Sequence, residues 1–116
     1  MINPGNPTGA VLTETCIEDI IRFCFDKKLV ILADEVYQDN IHSLERKFLS
    51  FNKVLSKLPE KIKENQELIS FHSVSKGMYG ECGLRGGYME LKNIEDKARM
   101  EVLKLQSIQL CSSTIG

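Results

Sequence analysis

The sequence predicts an α/β fold, in which helices flank a mostly parallel β-sheet. Three observations support this fold class. A helical repeat of apolar residues precedes a short apolar run at residues 29–33, and uninterrupted runs of this kind are typical of strands buried on both faces. Two further strand-like runs occupy residues 67–73 and 85–91, and a last helical pattern extends from about residue 93 to residue 110. Helices that alternate with short buried strands are characteristic of the α/β class.

The first helix is predicted to begin after Thr13 and to end near Lys27. A threonine hydroxyl is a suitable N-cap, because its oxygen accepts a hydrogen bond from an N–H group of the first turn. The apolar residues that follow recur every three or four positions and therefore form one stripe that faces a core. That stripe consists of Ile17, Ile20, Ile21, Cys24 and Phe25.

Residues 38–66 are polar and rich in lysine, and we expect them to form a surface excursion that carries no chemistry. A short helix within this segment is predicted to end at Pro59, because proline lacks the N–H group that continues a helix. The apolar anchors of that helix would be Phe48, Phe51, Val54, Leu55 and Leu58.

The composition excludes several classes of function. A chain of 116 residues forms one modest domain, and its net charge of −1 gives no basis for binding nucleic acid or an anionic membrane. No apolar stretch approaches the ~20 residues of a membrane span, and we expect no signal peptide before the first motif. The four cysteines form no Cys-x-x-Cys pair, so we expect neither a disulfide framework nor a metal site. A reducing, cytoplasmic setting is therefore expected, with a mitochondrial location left open.

The ends of the predicted strands carry the residues with the most chemistry. Asp34 directly follows the first apolar run and Ser73 ends the second, and ligands of open α/β sheets bind beside the carboxyl ends of strands. Lys76 comes next in a turn rich in glycine, and Arg85 follows it. A lysine can hold a phosphorylated aldehyde as a Schiff base, while hydroxyls, N–H groups and a guanidinium bind the phosphate. Taken alone, this lysine would more simply be a solvated residue of a surface loop.

Further motifs decide between these two interpretations. Residues 3–9 read NPGNPTG, residues 33–40 read ADEVYQDN, and residues 73–88 read SVSKGMYGECGLRGGY. In this order the motifs resemble the fold-type-I aminotransferases of class I and II, which use pyridoxal 5′-phosphate. The exact residues of these motifs are similar to those of the alanine aminotransferase branch of that family. The resemblance covers nearly the whole chain and is weakest across residues 41–66.

The resemblance implies a role for seven residues. Lys76 would form the Schiff base with the cofactor and, once substrate has displaced it, move the proton at the substrate Cα. Asp34 would pair with the protonated pyridine nitrogen, which keeps the ring able to accept electrons. Asn6 and Tyr37 would donate hydrogen bonds to the phenolic oxygen of the cofactor. The residues around the phosphate would be Ser73, Ser75 and Arg85.

Four of these residues also have a role that needs no cofactor. Asp34 suits a turn or a helix cap, Tyr37 suits core packing, and Asn6 suits a turn before proline. Arg85 would then be a surface arginine at the start of a strand. The two histidines, His42 and His72, lack neighbours of the metal-binding type, so no role is assigned to them.

The chain is short beside the family that it resembles. The resemblance implies that residues 1–116 form part of the large, cofactor-binding domain and that the small domain is absent. The complete protein would be a homodimer that transfers the amino group of L-alanine to 2-oxoglutarate, and this chain would be inactive alone. The alternative is a non-catalytic assembly module that binds no cofactor, because a strand without its neighbour invites pairing with another chain.

Three geometric expectations follow from the resemblance. Asn6–Pro7 should be a cis peptide bond, which proline makes accessible at a cost of only ~0.5–1 kcal/mol. Asp34 and Lys76 should face one cavity at the same sheet edge without a tight salt bridge, since the cofactor ring would lie between them. Arg85 should lie farther out, where the phosphate would be.

Overall fold

The computed structural model describes residues 1–108 of the chain. Its elements confirm the predicted α/β class, because helices alternate with the strands of a single sheet. In chain order they are helix α1 (Glu14–Lys27), strand β1 (Ile31–Asp34), helix α2 (Phe51–Leu55), helix α3 (Glu60–Lys63), strand β2 (Leu68–Ser73), a 3₁₀ turn (Cys82–Leu84), strand β3 (Gly87–Lys92) and helix α4 (Asp96–Ser107).

The sheet has the order β1-β2-β3 and is mixed. Strand β1 runs parallel to β2, with Ile31 opposite Leu68, whereas β3 runs antiparallel to β2, with Lys92 opposite Leu68. The expected parallel pairing therefore holds between the two strands that end in Asp34 and Ser73. Because the two strands point the same way, their carboxyl ends lie at one edge of the sheet.

Helix α1 begins where the sequence predicts and buries the predicted stripe. Thr13 Oγ1 accepts a hydrogen bond from the N–H of Cys16 at 3.2 Å, which caps the first turn. At the other end, Lys28 adopts a left-handed conformation with φ of 54° and terminates the helix. Ile17 and Ile21 are fully buried, and the other three residues of the stripe are partly buried against the core.

The prediction that residues 38–66 form only a surface excursion is wrong. Half of the ten buried apolar residues in the core come from this segment. Helices α2 and α3 cover the face of the sheet that also receives α1, because each short helix has its apolar residues on one side. Pro59 does not end the first of these helices, because α2 already ends at Leu55. It lies instead at the N-cap of α3. The five core residues are Phe51, Val54, Leu55, Leu58 and Ile62.

Among the described residues, the helices cover one face of β1 and leave the other open. The strand begins at Ile31, two residues later than the predicted start, and its buried side chains, Ile31 and Ala33, alternate with the exposed Leu32. The expectation of a strand buried on both faces is therefore wrong for this chain. The side chain of Leu32 is 52% exposed, so an apolar surface remains on the side opposite the helices.

Helix α4 lies at the surface, because none of its described side chains is buried. It begins at Asp96 rather than near Asn93, and its predicted end at residue 110 lies outside the described residues. Toward the end of this helix, Val102 is partly buried, whereas Leu105 and Ile108 are exposed. Within residues 1–108, no helix has the length and apolar character that crossing a bilayer requires.

Candidate functional site

The carboxyl ends of β1 and β2 form the edge of the sheet at which the sequence predicted a site. Asp34 is the last residue of β1, Ser73 is the last residue of β2, and both line an open cleft of about 740 Å³. Both residues alternate with core-facing residues of their strands, so their side chains lie on the face opposite the helices. The apolar walls of the cleft include Leu32, Val36 and Phe71. A few polar groups among apolar walls are typical of small-molecule sites.

Three predicted site residues from separate segments meet just beyond this edge. The Asn6 side-chain amide donates a hydrogen bond from Nδ2 to Tyr37 Oη at 3.1 Å. Lys76 Nζ lies 5.4 Å from the centroid of the Tyr37 ring, a distance at which an ammonium group is attracted to an aromatic face. Asn6–Pro7 is a cis peptide bond, which confirms the prediction for that bond. The structure therefore brings together Asn6, Tyr37 and Lys76.

The turn after β2 is held by the hydroxyl of its first serine. Ser73 Oγ accepts a hydrogen bond from the N–H of Ser75 at 3.1 Å and donates to the carbonyl oxygen of Gly86 at 3.4 Å. Gly77 has a φ of +75°, and a Cβ at this position would lie 3.1 Å from Asp39 Oδ2. A residue with a side chain would thus be strained and crowded at position 77. The turn that carries Lys76 is fixed on both sides.

The Arg85 guanidinium contacts its own turn rather than the other predicted site residues. Its Nη1 donates a hydrogen bond to the carbonyl oxygen of Cys82 at 3.0 Å, and its backbone has a left-handed φ of 50°. This conformation is uncommon for a residue with a side chain. Among residues 1–108, no hydrogen bond or ion pair joins Arg85 to Asp34, Tyr37 or Lys76.

Asp34 and Lys76 are likewise not joined by an ion pair in the part of the chain that the structure describes. Asp34 Oδ1 accepts a hydrogen bond from the N–H of Val36 at 3.4 Å, close to the limit for such a bond. The carboxylate is partly buried and lines the cleft, so it faces a space that a cationic group could enter.

No role was predicted for Glu35, a buried carboxylate that directly follows Asp34. Its side chain turns toward the core, is 7% exposed, and accepts a hydrogen bond at Oε1 from the N–H of Phe51 at 2.8 Å. Burial raises the pKa of Glu35, the Phe51 hydrogen bond lowers it, and the nearby Glu90 charge raises it further. The signal in the sequence is the alternation of a strand, because the residue after Asp34 must face the helices.

Glu35 is expected to make the stability of the fold depend on pH. Because the pKa of Glu35 is raised in the folded state, the stability that the neutral carboxyl contributes is fully present below the ordinary value near 4.5. That stability is lost as the pH rises through the raised pKa. Glu35→Gln keeps an acceptor for the Phe51 N–H but does not titrate. The free energy of unfolding in urea, measured from about pH 4 to about pH 8, should therefore improve in the variant relative to wild type as the pH rises.

The matched control for this measurement is Glu45→Gln, because Glu45 lies in an exposed loop. Its unfolding free energy should follow that of wild type across the same pH range. Parallel curves for wild type and Glu35→Gln would contradict the assigned effect of burial.

His72 and Cys24 are two further reactive groups of the chain, and neither is assigned to the site. Among residues 1–108, no cluster of three histidine, cysteine or carboxylate residues could hold a metal ion. The ring of His72 packs edge-on against Tyr88 with centroids 5.3 Å apart, and its buried Nδ1 has no hydrogen-bond partner. Burial raises the pKa of the Cys24 thiol on α1, and the charge of the N-terminus lowers it.

Known proteins resemble this chain over its whole length. Residues 1–116 match the family Aminotransferase class I and II. Alanine aminotransferase 1 of Bos taurus is 53% identical over 116 residues, which is 100% of this chain and 23% of the relative. Glutamate–glyoxylate aminotransferase 2 of Arabidopsis thaliana is 54% identical over 110 residues, or 95% of this chain and 23% of the relative. The chain thus spans 23% of the length of these curated relatives.

Solved structures share the fold. An aminotransferase from Escherichia coli superposes with a TM-score of 0.78 and 29% identity, covering 98% of this chain and 26% of that one. Alanine aminotransferase from Pyrococcus furiosus gives a TM-score of 0.77 and 27% identity, covering 98% of this chain and 27% of that one. The family match extends over every residue, and the arrangement of strands and helices agrees with it. The chain therefore belongs to the class I and II aminotransferase family.

Proposed function

We propose that the complete protein is a pyridoxal-phosphate-dependent aminotransferase that transfers the amino group of L-alanine to 2-oxoglutarate, giving pyruvate and L-glutamate. Residues 1–116 would belong to its large, cofactor-binding domain, and the small domain would lie outside these residues. The observation that carries the proposal is the meeting of Asn6, Tyr37 and Lys76 beside the strand ends that bear Asp34 and Ser73. Identities of 53% and 52% with the bovine and human alanine aminotransferases support the choice of substrates.

The donor set fits the chemistry of pyridoxal phosphate. The cofactor has an aldehyde, a phenolic oxygen, a pyridine nitrogen and a phosphate. Lys76 supplies the amine that an aldehyde requires, and Asp34 supplies a carboxylate that suits a protonated ring nitrogen. A solved putative aminotransferase from Clostridium difficile, described as bound to this cofactor, matches the fold with a TM-score of 0.73.

Asn6 and Tyr37 are assigned to the phenolic oxygen of the cofactor. The Asn6 amide donates to Tyr37 Oη, so the tyrosine oxygen serves as the acceptor in that bond. The hydroxyl proton of Tyr37 then remains for a second acceptor. We assign that acceptor to the phenolic oxygen of the cofactor, where a donated hydrogen bond stabilises the negative charge.

The phosphate would be held by the turn after β2. Ser73, Ser75 and the exposed Arg85 offer hydroxyls and a guanidinium around the same glycine-rich turn. A guanidinium has five N–H donors in a fork, so one bond to the Cys82 carbonyl is compatible with binding a phosphate oxygen as well. Arg85 is therefore assigned to the phosphate, as the family pattern implies.

Lys76 performs the proton transfer in this proposal. When bound, the cofactor withdraws the electrons that the substrate Cα releases on losing its proton. The Lys76 amine takes that proton from the Cα and holds it for return. Its Nζ lies 5.4 Å from the centroid of the Tyr37 ring, which places the amine beside the other residue assigned to the cofactor. Asp34 would hold the cofactor through its protonated ring nitrogen.

The assay that tests the proposal measures pyruvate formed by the complete protein from L-alanine and 2-oxoglutarate with added pyridoxal phosphate. Pyruvate should appear, and L-glutamate should appear in equal amount. The same protein is assayed with L-glutamate and glyoxylate, because the Arabidopsis thaliana relative bears that name. Activity only with the second pair would overturn the alanine assignment and retain the transaminase, whereas no activity with either pair would overturn both.

A second candidate function is a non-catalytic assembly module. The exposed apolar side chain of Leu32 on the uncovered face of β1 favours it, because such a surface associates with other protein. Visible absorption distinguishes the two candidates. A band that appears with pyridoxal phosphate and is lost in Lys76→Ala supports the enzyme, whereas a colourless protein supports the module. The complete enzyme is expected to be a homodimer, which its sedimentation would report.

A further inference from the structure

The backbone of Glu35 begins the turn that links two proposed cofactor ligands. Its N–H donates to the carbonyl oxygen of Phe71 at 3.2 Å, which ties the turn to β2. Its carbonyl oxygen accepts a hydrogen bond from the N–H of Gln38 at 3.2 Å, and the Tyr37 carbonyl oxygen accepts one from Asn40 at 2.9 Å. The residue therefore lies at the junction of the strand edge and the turn that presents Tyr37.

The side chain of Glu35 connects that junction to α2. Its Oε1 accepts a hydrogen bond at 2.8 Å from the N–H of Phe51, the first residue of α2. Phe51 is fully buried in the core, so its N–H group is a fixed point. The next residue, Asn52, donates from Nδ2 to Glu90 Oε1 on β3 at 2.9 Å. A chain of contacts thus runs from the end of β1 through α2 to β3.

We propose that Glu35 is a positioning residue that holds the turn between Asp34 and Tyr37 in its cofactor-binding shape by anchoring it to the first residue of α2. The inference rests on the proposed function, because it assigns a purpose to the shape of that turn. Glu35 touches neither cofactor nor substrate and acts through Tyr37 and Asp34. Helix α2, although remote from the chemistry, thereby becomes part of the support of the site.

The test compares three variants of the complete protein. Glu35→Ala removes the acceptor of the Phe51 N–H and leaves a buried donor unpaired, whereas Glu35→Gln retains an acceptor oxygen. Ile21→Val is the matched control, because it shortens a fully buried side chain on α1 and lowers stability without touching the turn. Two readouts are measured: the dissociation constant of pyridoxal phosphate from visible absorbance, and the exchange rates of the Gln38 and Asn40 amide hydrogens.

We expect Glu35→Ala to raise the dissociation constant ~10-fold and to accelerate exchange at both amides ~10-fold, because losing one buried hydrogen bond has an effect of this order. Glu35→Gln should remain within about threefold of wild type, and Ile21→Val should change neither readout. The proposal is overturned if Glu35→Ala behaves like Ile21→Val, or if Glu35→Gln is as impaired as Glu35→Ala.

A wild-type protein that binds no pyridoxal phosphate would overturn the proposed function and not, by itself, the positioning role. In that case the amide exchange rates decide, because they need no cofactor. Faster exchange of the Gln38 and Asn40 amides in Glu35→Ala alone would retain the positioning role, and unchanged exchange would overturn it.

Discussion

Replacing Lys76 by alanine is expected to abolish transamination by the complete protein, with a loss of at least ~10⁴-fold in rate. The effect is large because one amine has two tasks, the covalent attachment of the cofactor and the transfer of the proton at the substrate Cα. The rate is measured as pyruvate formed from L-alanine and 2-oxoglutarate at saturating pyridoxal phosphate. The visible absorption of the lysine-bound cofactor should be lost in the same variant.

Two further variants separate the amine from its charge. Lys47→Ala makes the same substitution at an exposed loop residue and should leave both rate and absorption unchanged. Lys76→Arg keeps a positive charge, but a guanidinium stays protonated and neither attacks an aldehyde nor accepts a proton. It should therefore be as inactive as Lys76→Ala. A Lys76→Ala protein with more than a tenth of the wild-type rate would remove this residue from the chemistry.

Phe51→Ala is expected to lower the free energy of unfolding by ~3–5 kcal/mol, which is a large fraction of the ~5–15 kcal/mol that stabilises a typical domain. The side chain is fully buried between the helices and the sheet, so truncation leaves a cavity as well as losing apolar contact. The change is measured by urea denaturation of wild type and variant at one pH.

The control for this prediction is the same substitution on the surface of α1. Phe23 is 57% exposed, and Phe23→Ala should change the unfolding free energy by no more than ~0.5 kcal/mol. Equal losses in the two variants would mean that α2 is not part of the core. The comparison therefore tests the structural finding that differs most from the sequence-based expectation.

The local features of the chain could be predicted because neighbouring residues determine them. The N-cap at Thr13 depends on one hydroxyl and the first helical turn, and the stripe of α1 depends on a spacing of three and four residues. The positions of Asp34 and Ser73 at one edge needed only the strand boundaries and the assumption of parallel pairing. The residues of β3 do not predict that it runs antiparallel to β2, because an apolar run is compatible with either direction of pairing.

The contribution of residues 38–66 to the core was not predicted, because the apolar residues of this segment are separated by lysines. Short helices such as α2, with five residues, are not stable alone and exist only because the sheet and α1 bury one side of them. Periodicity over so short a segment gives little information about packing. The hydrogen bond of Glu35 could not be predicted either, because its partner Phe51 lies 16 residues farther along the chain.

The sequence by itself determined the family, the α/β class, the capped first helix, the cis bond between Asn6 and Pro7, and the shared edge of the two parallel strands. The tertiary structure alone decided which face of the sheet is covered, that α2 and α3 belong to the core, and that the Glu35 side chain bonds to the first residue of α2. The physical reason is range. Caps, turns and periodic stripes arise from residues a few positions apart, whereas burial and a buried carboxylate's partner depend on segments that meet only after the chain has folded.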